Sequence, residues 1–317
     1  MQSVHGGTRA TTQRAFKLAA LTICAALGLA LIGGPALAKT KQHKKPKPPK
    51  VTIHSPVTRG SGYLALGDSV TFGYREPTVV PAPNYADASS FVGYPEVLGS
   101  ELHLTVANAA CSGETSASLI DPTAQSNGCE NTPGKGNVGY RTMSPLHVSY
   151  TGSQLDYGVS YLKKHKNVRL VSLMIGANDF LVCQETTPDQ CTSLSEEAAV
   201  LATLGKNVKT ILSAIRNKAH YTGQLAIVNY YSLDYSSQAG DTQIALLNTT
   251  VDNAAKPFHV VVGDGYGALQ AATANAGGNT CTAGLLTQLS GGGCGIHPSY
   301  AGQSLLALAL ERAIRLG

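Results

Sequence analysis

Five short apolar runs, Tyr63–Leu66, Leu104–Ala107, Val168–Ile175, Leu225–Tyr230 and Phe258–Val262, constrain this chain more than any other feature. Polar interruptions in them are few. A strand with one wet face alternates polar and apolar residues, whereas a strand covered on both faces can be apolar throughout. The stretches between the runs carry a different period. Leu155, Val159 and Leu162 stand at i, i+4 and i+7, and Leu201, Leu204, Val208, Ile211, Leu212 and Ile215 form a longer helical stripe. Gly205 weakens that helix without cancelling its pattern. After Pro298, Leu306, Leu310 and Ile314 predict a last amphipathic helix. Strands alternating with helices in this way predict an α/β protein with a central parallel sheet covered on both faces. No internal repeat or second domain is visible, and a single domain is expected over residues 60–317.

The first 59 residues have another character. Arg9, Arg14 and Lys17 form a basic segment without acidic residues, Leu18 to Ile32 is apolar, and Ala36-Leu37-Ala38 offers the small residues of a cleavage site. Residues 1–38 therefore read as a secretory signal peptide cleaved near Ala38, which predicts a secreted, extracellular protein. A retained membrane anchor is the alternative. Residues 39–59 read as a basic, Pro-rich linker, with Lys39, Lys41, Lys44, Lys45, Lys47 and Lys50 on an extended solvated spacer. A sharper reading gives this tail weak contact with anionic envelope polymers. These segments produce the formal net charge of +5. Nine of the 24 basic residues precede residue 51, which leaves 15 against 19 acidic side chains, a net of −4. No nucleic-acid surface is expected on such a domain.

Six of the seven cysteines lie beyond the leader, and an even number in an exported chain predicts disulfides. The expected pairs are nearest neighbours, Cys111–Cys129, Cys183–Cys191 and Cys281–Cys294, because each would staple a loop rich in Gly, Pro or Asn. The chain has no Cys-x-x-Cys pair, and no metal site is expected.

The first apolar run ends in Gly67-Asp68-Ser69-Val70-Thr71. A strand that breaks at Gly-Asp-Ser into a helix presents a serine hydroxyl at the carboxyl end of the sheet, where open α/β folds commonly hold ligands. Ser69 alone could be an ordinary helix cap. As a nucleophile it would need a base and donors for an oxyanion. His297, in His297-Pro298-Ser299, is the candidate base, since Pro298 sets an extended or turn conformation and can open the next helix. Gly113, in Ala110-Cys111-Ser112-Gly113-Glu114-Thr115, lets a carbonyl approach its backbone N–H closely. Asn178, in Ile175-Gly176-Ala177-Asn178-Asp179, donates from an amide without bringing a charge. Each of these is a common turn residue singly; the four in this order point to acyl transfer.

Two long insertions, residues 76–90 and 121–150, follow Ser69 and Gly113 and could wall a substrate cleft. The second contains Gly134-Lys135-Gly136-Asn137-Val138-Gly139, a formal G-x-G-x-x-G. It follows Pro133 and a polar turn instead of a strand, so it reads as a flexible loop, and no cofactor is expected.

The four blocks resemble the SGNH (GDSL-type) hydrolase superfamily, from about Gly62 to the C-terminus. The context Asn108-x-Ala110-Cys111-Ser112-Gly113 and the cysteine number are most similar to its secreted bacterial esterases and lipases. The resemblance implies a three-layer α/β/α, flavodoxin-like fold and an enzyme that hydrolyses carboxylic esters through an acyl-enzyme; a monomer acting on small-molecule or lipid esters is expected. It implies Ser69 as nucleophile, His297 as base, and an oxyanion hole made by the Ser69 and Gly113 N–H groups and the Asn178 side chain. A polysaccharide deacetylase of the same fold and a non-catalytic surface-binding module are the alternatives. The family usually has Asp three residues before the histidine, where this chain has Cys294. The Cys294 backbone carbonyl is therefore expected to orient His297, the alternatives being a distant acid such as Asp264 or a degraded site. The Gly-x-Ser-x-Gly pentapeptide of α/β-hydrolases is absent.

Overall fold

The computed structural model describes residues 55–317. The expected signal peptide, its cleavage near Ala38 and most of the basic linker lie outside the described residues. Within them the chain runs β1 (Gly62–Gly67), α1 (Ser69–Phe72), α2 (Tyr94–Glu101), β2 (Thr105–Asn108), α3 (Tyr140–Met143), α4 (Gln154–Lys164), β3 (Val168–Met174), α5 (Ala177–Thr186) and α6 (Leu194–Ser213). It continues through β4 (Gln224–Val228), α7 (Gln238–Ala255), β5 (Val260–Gly263), α8 (Gly265–Ala272), β6 (Leu286–Gln288), β7 (Cys294–Pro298) and α9 (Tyr300–Ala313).

The five apolar runs are the five strands of one parallel sheet, ordered β2-β1-β3-β4-β5. Every residue of β1 is buried, and so is every residue of β4. Helices α2, α8 and α9 pack together on one face, while α4, α6 and α7 cover the other. This is the three-layer α/β/α, flavodoxin-like arrangement. The strand order reverses between β1 and β3, and the crevice at such a switch point, outside the carboxyl ends of the strands, is where these sheets bind ligands.

β6 and β7 form a separate antiparallel hairpin, an element the sequence patterning did not reveal. The segment just beyond α1 pairs with it. Val79 bridges Leu289, Val80 N–H donates to the Gln288 carbonyl at 3.3 Å, and Ser290 N–H donates to the Thr78 carbonyl at 2.7 Å. The first insertion is thus tied, through β6 and its turn, to the hairpin that carries His297. The Gly134–Gly139 segment is a tight surface reversal in which Thr132 bridges Gly136. The six cysteines of the domain pair as Cys111–Cys129, Cys183–Cys191 and Cys281–Cys294.

Candidate active site

At the end of β1 the chain turns through Asp68, whose carboxylate caps α1 by accepting from Val70 N–H at 3.0 Å. Ser69 is consequently the first helical residue beyond a central strand. Gln154 on α4 clamps the exit: its Oε1 accepts from Gly67 N–H at 2.6 Å and its Nε2 donates to the Gly67 carbonyl at 3.0 Å. Behind Ser69, the Tyr230 hydroxyl donates to Asp68 Oδ2. Complete burial raises the Asp68 carboxyl to about 6, against the opposing hydrogen bonds from Tyr230 and Val70.

Beyond β2, Asn108 ties the next loop to α1, donating to the Thr71 carbonyl at 2.8 Å and accepting from Ala110 N–H at 3.1 Å. Gly113 follows with φ +83°, and a Cβ built there would lie 2.4 Å from the Asn127 carbonyl oxygen. Only glycine suits both conditions. Asn127 N–H returns to the Gly113 carbonyl at 2.7 Å, and Cys111–Cys129 closes the same loop. Asn178 near the start of α5 donates through Nδ2 to the Glu114 carbonyl at 3.0 Å. Its Oδ1 accepts from Asn127 Nδ2 at 3.0 Å, which fixes the amide at the wall of the cleft. Sequence reasoning missed Asn127; it lies in the second insertion, with nothing but that position to mark it.

His297 lies on β7 with its Nε2 2.9 Å from Ser69 Oγ. Its Nδ1 is 2.7 Å from Glu76 Oε1. The same carboxylate oxygen accepts from Ile296 N–H at 3.0 Å, and Oε2 accepts from the Thr287 hydroxyl at 2.6 Å. Partial burial works to raise the Glu76 carboxyl, but the hydrogen bond and charge of His297, with the Thr287 hydroxyl, outweigh it and hold the group at about 2. Gly295 makes room for this acid, because a Cβ at that position would lie 2.0 Å from Glu76 Oε1. Tyr74 packs edge-on against the imidazole at 4.9 Å between centroids.

The Cys294 expectation is therefore corrected: the partner of Nδ1 is a side-chain carboxylate. Cys294 and His297 belong to one extended strand, where residues three apart are separated by about 10 Å. A carbonyl so far upstream cannot return to the ring. Asp264 is occupied elsewhere, capping α8 by accepting from Gly267 N–H at 2.9 Å. The sequence reading did not single out Glu76 as an acid. Its only signal was a place at the start of an insertion that could wall the cleft.

Ser69, Gly113, Asn127, Asn178 and His297 line one cavity of about 460 Å³. A hydroxyl against an imidazole that is braced by a carboxylate, beside backbone and amide N–H donors, can attack an acyl carbon and hold the resulting oxyanion. Among the described residues, two groups of side chains approach metal-ligand spacing, Cys111/Glu114/Cys129 and Cys183/Cys191/Glu196. Both contain disulfide sulfurs, which are poor donors for a metal ion.

A parallel sheet of this order, with Ser69 at its switch point, defines a three-layer α/β/α architecture with a candidate hydrolytic site. Over residues 65–305 the chain matches the model of the GDSL-like lipase/acylhydrolase family, and it belongs to that family, within the SGNH hydrolases. It is an ester hydrolase. Among solved structures it is similar to a phospholipase A1 from Streptomyces albidoflavus, at 20% identity and a TM-score of 0.49, over 80% of this chain and 99% of that one. It is also similar to a putative GDSL-like lipase from Parabacteroides merdae, at 14% identity and a TM-score of 0.49, over 84% of this chain and 98% of that one. An acetylxylan esterase from Geobacillus stearothermophilus shares 16% identity at a TM-score of 0.49, over 82% of this chain and 96% of that one. A search of curated protein sequences finds no match.

Proposed function

We propose that this protein is an exported serine esterase that cleaves carboxylic esters through an acyl-enzyme on Ser69. The observation that carries the reading is the unbroken chain from Ser69 Oγ through both imidazole nitrogens of His297 to Glu76 Oε1, at 2.9 and 2.7 Å. His297 Nε2 takes the proton as Ser69 Oγ attacks the ester carbonyl. Glu76 fixes the tautomer through Nδ1–H and, ionised, stabilises the imidazolium that forms. The oxyanion is met by the N–H groups of Ser69 and Gly113 and by the free amide N–H of Asn178. His297 then returns its proton to the departing alkoxide, and a water activated by the same imidazole releases the acid. Export is supported by the leader-like N-terminal sequence and by three disulfides, which persist in oxidising compartments.

The test is hydrolysis of p-nitrophenyl esters by the wild type, Ser69→Ala, His297→Ala and the double variant. Each single change is expected to lower kcat by roughly 10⁶-fold, and the double variant should lose little more, since the two residues act as a unit. Additive losses, or full activity in Ser69→Ala, would refute the assignment.

A further inference from the structure

The cavity extends well beyond the space a small ester needs, and its extension is apolar. Leu181 on α5 and Ile244 and Leu247 on α7 form the two sides, and Leu233 after β4 stands at the rim, 44% exposed. Leu247 is fully buried, so the surface runs from solvent to an apolar floor. Gln184 and Gln243, on the same two helices, add amides to the lining.

This wall has a fixed relation to the reacting atoms. Asn178, Leu181 and Gln184 succeed one another at three-residue steps along α5, and all three line the cavity. The oxyanion donor therefore begins the wall, and a glutamine ends it. His297, which must protonate the leaving alcohol, stands with Tyr74 and Ile296 on β7 and the loop beyond α1. With the carbonyl oxygen held at Asn178 and the alcohol toward His297, the remaining substituent of the acyl carbon is directed along α5.

We propose that the α5–α7 cleft is an acyl-chain subsite, and that the substrates are esters of medium-length, unbranched fatty acids. The inference rests on the ester-hydrolase reading above and adds the acyl group. Six residues of helix from Asn178 to Gln184 advance about 9 Å. An extended alkyl chain advances about 1.25 Å per carbon for a bond of about 1.52 Å. The apolar wall thus accommodates roughly seven carbons beyond the carbonyl before meeting Gln184. An acetyl group would leave Leu181, Ile244 and Leu247 in contact with water.

The experiment is the kcat/KM of the full chain on p-nitrophenyl esters from acetate to palmitate. For the wild type it should rise with each added methylene, by up to about fourfold per buried methylene, to an optimum near octanoate. Ile244→Trp, which fills the cleft, should reduce the octanoate-to-acetate ratio at least about tenfold, as expected when two or more methylenes lose their place. Gln184→Leu, a change at a half-buried position, should move the optimum to longer chains and reads the subsite even if Ile244→Trp does not fold. Ser69-dependent hydrolysis that peaks at acetate, or folded variants that leave the chain-length profile unmoved, would overturn the subsite while leaving the esterase reading intact. No Ser69-dependent hydrolysis at any chain length would overturn both.

Discussion

Ser69, Gly113 and Asn178 come from the ends of β1, β2 and β3, three neighbouring strands of one sheet, whereas Glu76 and His297 come from outside that sheet. The first side of the cleft is placed by the fold itself. Parallel pairing sets the strand ends, and polar side chains fix the loops and turns at those ends: Gln154 on Gly67, Asn108 on Thr71, Asn127 on Asn178. The second side is a loop and a hairpin that hold each other. Its order depends on the Val79–Leu289 bridge, on Thr287 and Ile296 bonding Glu76, and on Cys281–Cys294 at the start of β7. Positioning of the nucleophile is thus a property of the core, and positioning of the base is a property of local contacts at the surface.

Beyond the nucleophile and the base themselves, the largest effect should come from the carboxylate on the hairpin side. Glu76→Gln keeps an acceptor for Nδ1–H and for Ile296 N–H but removes the charge that stabilises the imidazolium. On the scale of the corresponding change in another Ser–His–Asp site, kcat should fall about 10⁴-fold with little change in KM. A loss below about tenfold, measured with an unchanged melting temperature, would mean that the hairpin side only holds the ring in place.

The same division explains what the sequence disclosed. The strands were legible because burial on both faces leaves an apolar run, and Ser69, Gly113 and Asn178 were legible because each comes shortly after such a run. His297 was found through its neighbour Pro298, although the hairpin beneath it was not. A three-residue strand such as Leu286–Gln288 shows no usable period. Glu76 could not be read at all. It is one of nineteen acidic residues, it follows no strand, and its role exists only because the chain returns to meet β7 more than two hundred residues later. Gly295 is the trace that this meeting leaves in the sequence, yet a glycine by itself does not say which side chain it admits.

On the strand side a smaller loss is expected. Asn178→Ala removes one of the three proposed oxyanion donors and should cost about 10²–10³ in kcat. The loss should appear in kcat, because the bond strengthens as charge develops on the oxygen. A change confined to KM would make Asn178 a substrate-binding residue and would weaken the contrast between a rigid cradle and a locally built base.

The smallest effect separates the two sides by the sign of their response to pH. Asp68 and Asp179 on the strand side are both raised to about 6, chiefly by burial, from an ordinary value near 3.8. For Asp179 the Ser116 N–H at 2.9 Å and the Ser116 hydroxyl at 2.5 Å oppose that rise without cancelling it. The folded state therefore binds these protons more tightly than the unfolded chain. Their contribution to stability is complete below about pH 4 and is lost as pH rises through 6. Glu76 is the opposite case. Its folded value of about 2, against 4.5, gives a contribution present above about pH 4.5 and lost as pH falls toward 2. Melting temperature followed from pH 2 to pH 8 should then distinguish the sides. Asp68→Asn keeps a cap for Val70 N–H and a partner for Tyr230, and it should flatten the decline between pH 4 and 6 and melt higher than the wild type at pH 7, by on the order of 5 °C for a domain of this size. Glu76→Gln should leave that interval alone and flatten only the acid limb below pH 4.5. If both variants altered the same limb, the two sides would not be electrostatically separate, and the site would have to be treated as one coupled cluster.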